Sequence, residues 1–378
     1  MVFNLHLSHL PQRFNTVAKA PLSLKGWGTA AALAVALVGL PACGGGDTAD
    51  SGTGGGDTTE ETATGDLPGT GVTVTAGYSV LEELFQTEIV NIGLERLGYD
   101  IGDGKELEYA TLHVDIANGG IDYTAAHWEQ LHQEFFENSG GDDALERTGT
   151  FIANVLQGYK IDQATADEYG ITSLEQLQDP EIAALFDTDG DGKANLAGCN
   201  PGWGCELVIE HQLDEYGLRD TVQHDQGQYF ALIADTITRY EQGEPILFYT
   251  WTPLWVSGVL VEGEDVTWLE VPYTSLPEAQ GEVSEADTSA EGKNLGFAVD
   301  QQVILANQAF IDNNPAAAKF FELLEVPIAD VSAQNQLMQA GEDTPEDIRR
   351  HAEEWVAENQ AQFDTWIEEA LAAATASR

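Results

Sequence analysis

The chain reads as an α/β protein of two lobes, and three observations lead there. Its 378 residues, 43% of them hydrophobic, are enough for two cores, because single domains cluster at about 100–150 residues. From Gly71 to Ala126, short apolar runs that alternate like strands flank a run with helical spacing, which is the rhythm of an α/β layer. The same alternation starts again near Ile161 and continues to Gly296 with helices and strands of its own. Lobe 1 is therefore expected over 67–160 plus 297–378 and lobe 2 over 161–296, each a mixed sheet flanked by helices.

In lobe 1, Gly71–Ala76 alternates as a strand, and Ser79-Val80-Leu81-Glu82 has capping-box spacing. Leu81, Leu84, Phe85, Ile89 and Ile92 then recur at helical spacing until Gly98. Tyr109–Val114 and Ile121–Ala126 are the next strand candidates. In lobe 2, short helical pieces are expected at Asp162–Tyr169, Leu174–Gln178 and Pro180–Phe186. Longer helices are expected at Leu207–Tyr216, closed by Gly217, and at Tyr229–Gln242, closed by Gly243. Pro245–Trp251 reads as a buried strand and the acidic stretch Glu278–Lys293 as a surface loop. The chain then returns through a strand at Phe297–Asn307 to helices from Pro315. The last of these starts at Thr344-Pro345 and carries Ile348, Trp355, Phe363, Trp366 and Leu371 on its apolar face.

The first 43 residues read as a targeting segment. Arg13, Lys19 and Lys25 precede a short apolar run, Ala30–Leu40, too short for a permanent membrane span. Leu40-Pro41-Ala42-Cys43 resembles a bacterial lipobox, which makes Cys43 the lipidation site, and residues 44–66, rich in Gly, Thr and Asp, a flexible acidic tether. Lipidation of Cys43 leaves Cys199 and Cys205 as one pair in an oxidising compartment, so a disulfide is expected between them. Residues 1–42 hold no acid, so without them 12 basic residues face 64 acidic ones, a net charge of −52. Nucleic acid and anionic lipid surfaces are poor partners for such a chain. The charge is spread along the sequence, which suits a surface adapted to high external salt.

The chemistry-bearing residues gather in a few places. Cys199-Asn200-Pro201-Gly202-Trp203-Gly204-Cys205 presents one indole on a stapled loop that leads into a helix. Trp203 can face a cation, and the unpaired N–H groups of Gly204 and Cys205 at the helix start can face an anion. A pocket with both suits a zwitterion. Trp128 and His132, four apart, would share a face if a helix begins there; alternatively they are a packed Trp and a surface His. In Tyr249-Thr250-Trp251-Thr252-Pro253-Leu254-Trp255, both Trp251 and Trp255 lie near the end of a strand, where α/β sheets place ligands. Asp187, Asp189 and Asp191 resemble half of a calcium loop, but Gly198 stands where such a loop needs its bidentate Glu, so a tight turn or a weak calcium site is expected. No zinc spacing, phosphate loop or nucleophile arrangement stands out. An enzyme working through His132 and Glu129 would therefore lack a cofactor, metal or nucleophile.

Four segments carry a resemblance to a known family: Phe186–Lys193, Gly198–Cys205, Ala234–Ile237 and Tyr249–Pro253. The chain from about Leu67 resembles the glycine betaine/proline betaine substrate-binding proteins of osmoprotectant ABC transporters. The resemblance implies a periplasmic-binding-protein fold of type II with its ligand in the cleft between lobes. It also implies a box of Trp128, Trp203 and Trp251 around a trimethylammonium group, with the carboxylate held by Gly204, Cys205 and His132. It selects Trp251 over Trp255. A non-enzymatic, monomeric, extracytoplasmic receptor follows, without cofactor, that hands a betaine to an ABC permease; choline or carnitine is the alternative ligand.

Overall fold

The computed structural model describes residues 66–376, so the leader, Cys43 and all but the last residue of the tether lie outside the described residues. The apolar runs assemble into a seven-stranded sheet in the order Tyr123–Trp128, Asp300–Asn307, Leu145–Asp162, Leu247–Thr252, Ala194–Ala197 and Val222–Asp225. Val266–Trp268 is added beside Leu145–Asp162. The sheet is mixed: Ala194–Ala197 runs parallel to both its neighbours, and the remaining pairings are antiparallel.

One strand of 18 residues, Leu145–Asp162, ties the sheet together. Its first part pairs with Asp300–Asn307 as far as Val155, and from Leu156 onward it pairs with Leu247–Thr252. The exchange of partner falls beside Asn154, a non-glycine residue at φ 58°. Asparagine tolerates this left-handed backbone better than most residues, so a bend sits where the chain passes from one half of the sheet to the other. The sheets expected of the two lobes are thus continuous through this strand.

Two large cores lie on either side of that crossing. One is built on helices Leu84–Arg96, Pro315–Leu323, Pro345–Glu358 and Gln360–Ala376 and includes Ile89, Phe320, Phe363 and Trp366. The other gathers Tyr159, Phe186, Val208, Ile233 and Phe248. Trp355 and Trp366 belong to the first core, as their helical spacing predicts.

Four local expectations change. Tyr109–Ala117 is a helix rather than a strand, because Tyr109, Leu112, His113 and Ile116 bury one face at the 3.6-residue period. The carboxylate that caps the first helix belongs to Glu83, not Glu82; it accepts from the N–H of Ser79 at 2.7 Å and of Val80 at 3.4 Å. The last helix is two, parted at Asn359, whose side chain donates to the Trp355 carbonyl. Trp128 ends a strand instead of starting a helix.

Candidate functional site

All six residues of Tyr123–Trp128, the first strand in the sheet order, are buried, and Trp128 stands at its carboxyl end. The chain then folds back on itself. His132 N–H donates to the Trp128 carbonyl at 3.0 Å, while the Trp128 N–H points at Nδ1 of His132 at 3.3 Å. Buried Asp300 holds this turn through the N–H groups of Gln130 and Leu131 at 3.0–3.1 Å. Trp128 and His132 therefore come together through a turn, not the helix face the spacing suggested.

The second wall is the loop closed by the Cys199–Cys205 disulfide. Inside it, Gly202 takes φ 88°, and Trp203 becomes the N-cap of helix Gly204–Glu215 without making a side-chain cap bond. Trp203 is 5% exposed, and its Nε1–H donates to Glu108 at 3.2 Å. A Cβ on Gly204 would stand 2.6 Å from the Leu131 carbonyl oxygen, so only glycine lets this helix start pack against the turn that carries His132.

Trp251 lies near the end of the third segment, Leu247–Thr252, with its ring 4.5 Å from Tyr229 and 6.0 Å from Trp203 at 70°. A cavity enclosing about 520 Å³ of space, its mouth included, brings Trp128, His132, Trp203, Gly204, Cys205 and Trp251 onto one surface. Trp128 packs in one core, Trp203 in the other, and Trp251 touches both, so the cavity opens between the two cores. Trp255 is not part of its lining; its indole donates to Glu82 at 3.2 Å and stacks on Phe230.

Other residues of the cavity were not legible in the sequence. Tyr109 lies 4.4 Å from the His132 ring and 5.7 Å from that of Trp203, but its segment reads as a strand. Tyr249, Glu82, Glu83, Gln302 and Asn335 also reach the cavity. Glu83 is buried, accepts from the Tyr109 hydroxyl at 2.6 Å, and burial pushes its carboxyl up to about 7; burial does the same to Glu82. Burial, and then the neighbouring His113, hold His132 well below the usual imidazole range. With Nδ1 accepting from a backbone N–H, the hydrogen-bond network assigns the remaining proton of His132 to Nε2.

The raised carboxyls give stability a pH dependence. In the unfolded chain Glu82 and Glu83 ionise above about 4.5, whereas the fold keeps them protonated to about 7. Their contribution is full below the lower value and is lost as pH rises through the upper one. Calorimetric melting should therefore fall between about pH 4.5 and 7 in part through these groups. Glu83→Gln, which keeps an acceptor for Tyr109, should flatten that fall; an unchanged slope would count against the assignment.

In the Asp187 loop, Asp187, Asp189 and Asp191 each bring a carboxylate oxygen within 4.8 Å of the others, an arrangement common to an Asp/Gly turn and a weak calcium site. Asp187 accepts from the N–H groups of Asp189, Gly190 and Gly192 at 2.7–3.2 Å, Asp189 from Asp191, and Asp191 from Lys193. Those bonds hold Asp187 below the usual carboxylate range.

A cavity between two cores of one mixed sheet, walled by indoles and floored by a helix start, defines a receptor for a small solute. Comparison with known proteins says which kind. A family model described as the substrate binding domain of ABC-type glycine betaine transport systems matches residues 72–358, and the chain belongs to that family of solute-binding receptors, which are not enzymes. It is 50% identical over 314 residues to OusX, the glycine betaine-binding periplasmic protein of Dickeya dadantii, covering 82% of this chain and 94% of the relative. It is 48% identical over 314 residues to the glycine betaine/proline betaine-binding periplasmic protein of Escherichia coli, covering 83% and 94%.

Among solved structures, lactococcal OpuAC in its closed conformation with glycine betaine aligns with a TM-score of 0.59 at 18% identity, over 78% of this chain and 99% of that one. An ABC-transporter choline binding protein in complex with choline aligns with a TM-score of 0.60 at 18% identity, over 81% and 97%. Both speak for the fold. Among the described residues no helix is long and apolar enough to cross a membrane.

Proposed function

We propose that the cavity binds glycine betaine or proline betaine and that the protein delivers it to an ABC permease. The observation that carries this reading is the convergence of three distant segments, around 128, 203 and 251, on one cavity with complementary ends. In it Trp128, Trp203 and Trp251 face the quaternary ammonium, while the N–H groups of Gly204 and Cys205 and the Nε2–H of His132 hold the carboxylate. Indole faces attract a cation without a full negative charge, and a helix start favours an anion. Three such contacts at about 1–2 kcal/mol each, with two or three charge-assisted hydrogen bonds at about 1.5–3 kcal/mol, leave roughly micromolar affinity once ordering costs are subtracted.

We further assign residues 67–160 and 297–378 to one lobe and 161–296 to the other, with closure about the bend at Asn154. The leader ends at Cys43, whose lipid anchors a monomer outside the cytoplasm by the tether, and the acidic surface serves a high-salt medium.

A thermal-shift screen against glycine betaine, proline betaine, carnitine, choline and ectoine tests the ligand class. The betaines should raise the melting temperature most. Choline has the ammonium without the carboxylate and should shift it least among the trimethylammonium compounds; choline ranking first would replace the betaine reading with the choline one.

A further inference from the structure

At one side of the cavity, helix Tyr109–Ala117, the strand ending at Trp128 and the turn that follows it bring three imidazoles together. His113, His127 and His132 are 0–1% exposed, and their ring centroids lie 5.1–5.6 Å apart in all three pairings. One ligating nitrogen from each falls within 4.8 Å of the other two. Three imidazoles are an unusual thing to bury without a carboxylate among them, since their polar atoms need partners.

The hydrogen bonds leave the cluster incomplete. The Tyr109 carbonyl can only accept, so His113 carries its proton on Nδ1 and donates across 2.7 Å. Nε2 of His113 is then a lone pair facing Nδ1 of His127 at 2.9 Å. Nε2 of His127 has no partner at all and is fully buried. A ligating histidine typically donates its other N–H to a backbone carbonyl, which is what His113 does.

We propose that His113, His127 and His132 form a buried site for one divalent transition-metal ion of the zinc class, with an open coordination position toward the cavity. Imidazole is the preferred donor of such ions, and three histidines with one open position is a recurrent zinc arrangement. An ion bound to His113 Nε2 and His127 Nδ1 replaces the proton between them and widens their separation to about 3.3 Å, given bonds of about 2.0–2.1 Å. His132 lines the cavity, which supplies the entry path. Opposing charge comes from Arg147, whose guanidinium sits 3.9 Å over the Phe136 ring and acts on His127. The site shares His132 with the betaine reading: with Nδ1 held by the Trp128 N–H, the ion takes Nε2 in place of the proton assigned there, and because the test reads the metal alone the two readings fail separately.

The test is a cobalt(II) titration of the tag-free, chelator-treated chain. One equivalent should develop the intense visible absorption of a four-coordinate nitrogen site, and zinc should bleach it. Surface carboxylates give only the weak spectra of oxygen sites. His113→Gln and His127→Gln should each abolish the band. A second reading uses the unaltered protein: zinc at a hundredfold excess over its Kd should raise the melting temperature by about 3–8 °C, reversed by EDTA. A band that survives both substitutions, or absence of band and melting shift in the unaltered chain, overturns the proposal.

Discussion

Trp203→Ala is expected to weaken glycine betaine binding at least thirtyfold to a hundredfold, read by titration calorimetry. A desolvated cation–π contact with Trp contributes about 2 kcal/mol or more, and each 1.4 kcal/mol is a factor of about ten. The substitution also removes the wall that holds Trp251 at 6.0 Å and Tyr109 at 5.7 Å, so the cage loses shape as well as one face. Because Trp203 is 5% exposed and packs in the second core, some loss of stability accompanies the change. Two further variants separate the effects. Trp203→Phe keeps a π face and should recover part of the affinity, whereas Trp203→Leu keeps apolar bulk without one and should not. Equal binding by the Phe and Leu variants would show that burial, and not the ring quadrupole, holds the ligand.

Gly204→Ala is expected to weaken betaine binding about ten- to a hundredfold while leaving choline much less affected. The added methyl would stand 2.6 Å from the Leu131 carbonyl oxygen and 2.9 Å from its Cγ. Neither side yields easily. The Leu131 turn is fixed by Asp300, and the helix start is tied to Cys199 by the disulfide. The two elements must move apart, and with them the N–H groups of Gly204 and Cys205 from His132. A loss of about 1.4–2.8 kcal/mol corresponds to one or two charge-assisted hydrogen bonds out of register. Choline has no carboxylate to lose, so an equal loss for both ligands would place the damage in the cage instead.

Much of the site is local, and that part is readable from the chain. The disulfide loop, the helix that follows it and the indole between them lie within Cys199–Glu215, where hydrogen bonds, capping and covalent closure act over a few residues. The strand ending near Trp251 and the helix Tyr229–Glu241 are legible for the same reason: their periodicity is strong and their boundaries carry Gly or Pro. Tyr109–Val114 reads as a strand because an apolar stretch of this length fits either period, and only the neighbours it packs against make it part of helix Tyr109–Ala117.

The sequence by itself determined the α/β class, the stapled loop, and the indole and helix start that this loop brings to the cavity. Tertiary structure alone decided that one strand, Leu145–Asp162, serves both halves of the sheet, and that Trp255 stays outside the cavity lining and donates to Glu82, which lines it. It alone set Glu83 beside Tyr109 and gathered His113, His127 and His132. The physical reason is range. Capping, turn formation and periodic burial are settled between residues a few positions apart, whereas a cavity is the space left when segments distant along the chain are packed together. What lines that space follows from register and close approach, such as Gly204 against Leu131, and these leave no periodic trace in the sequence.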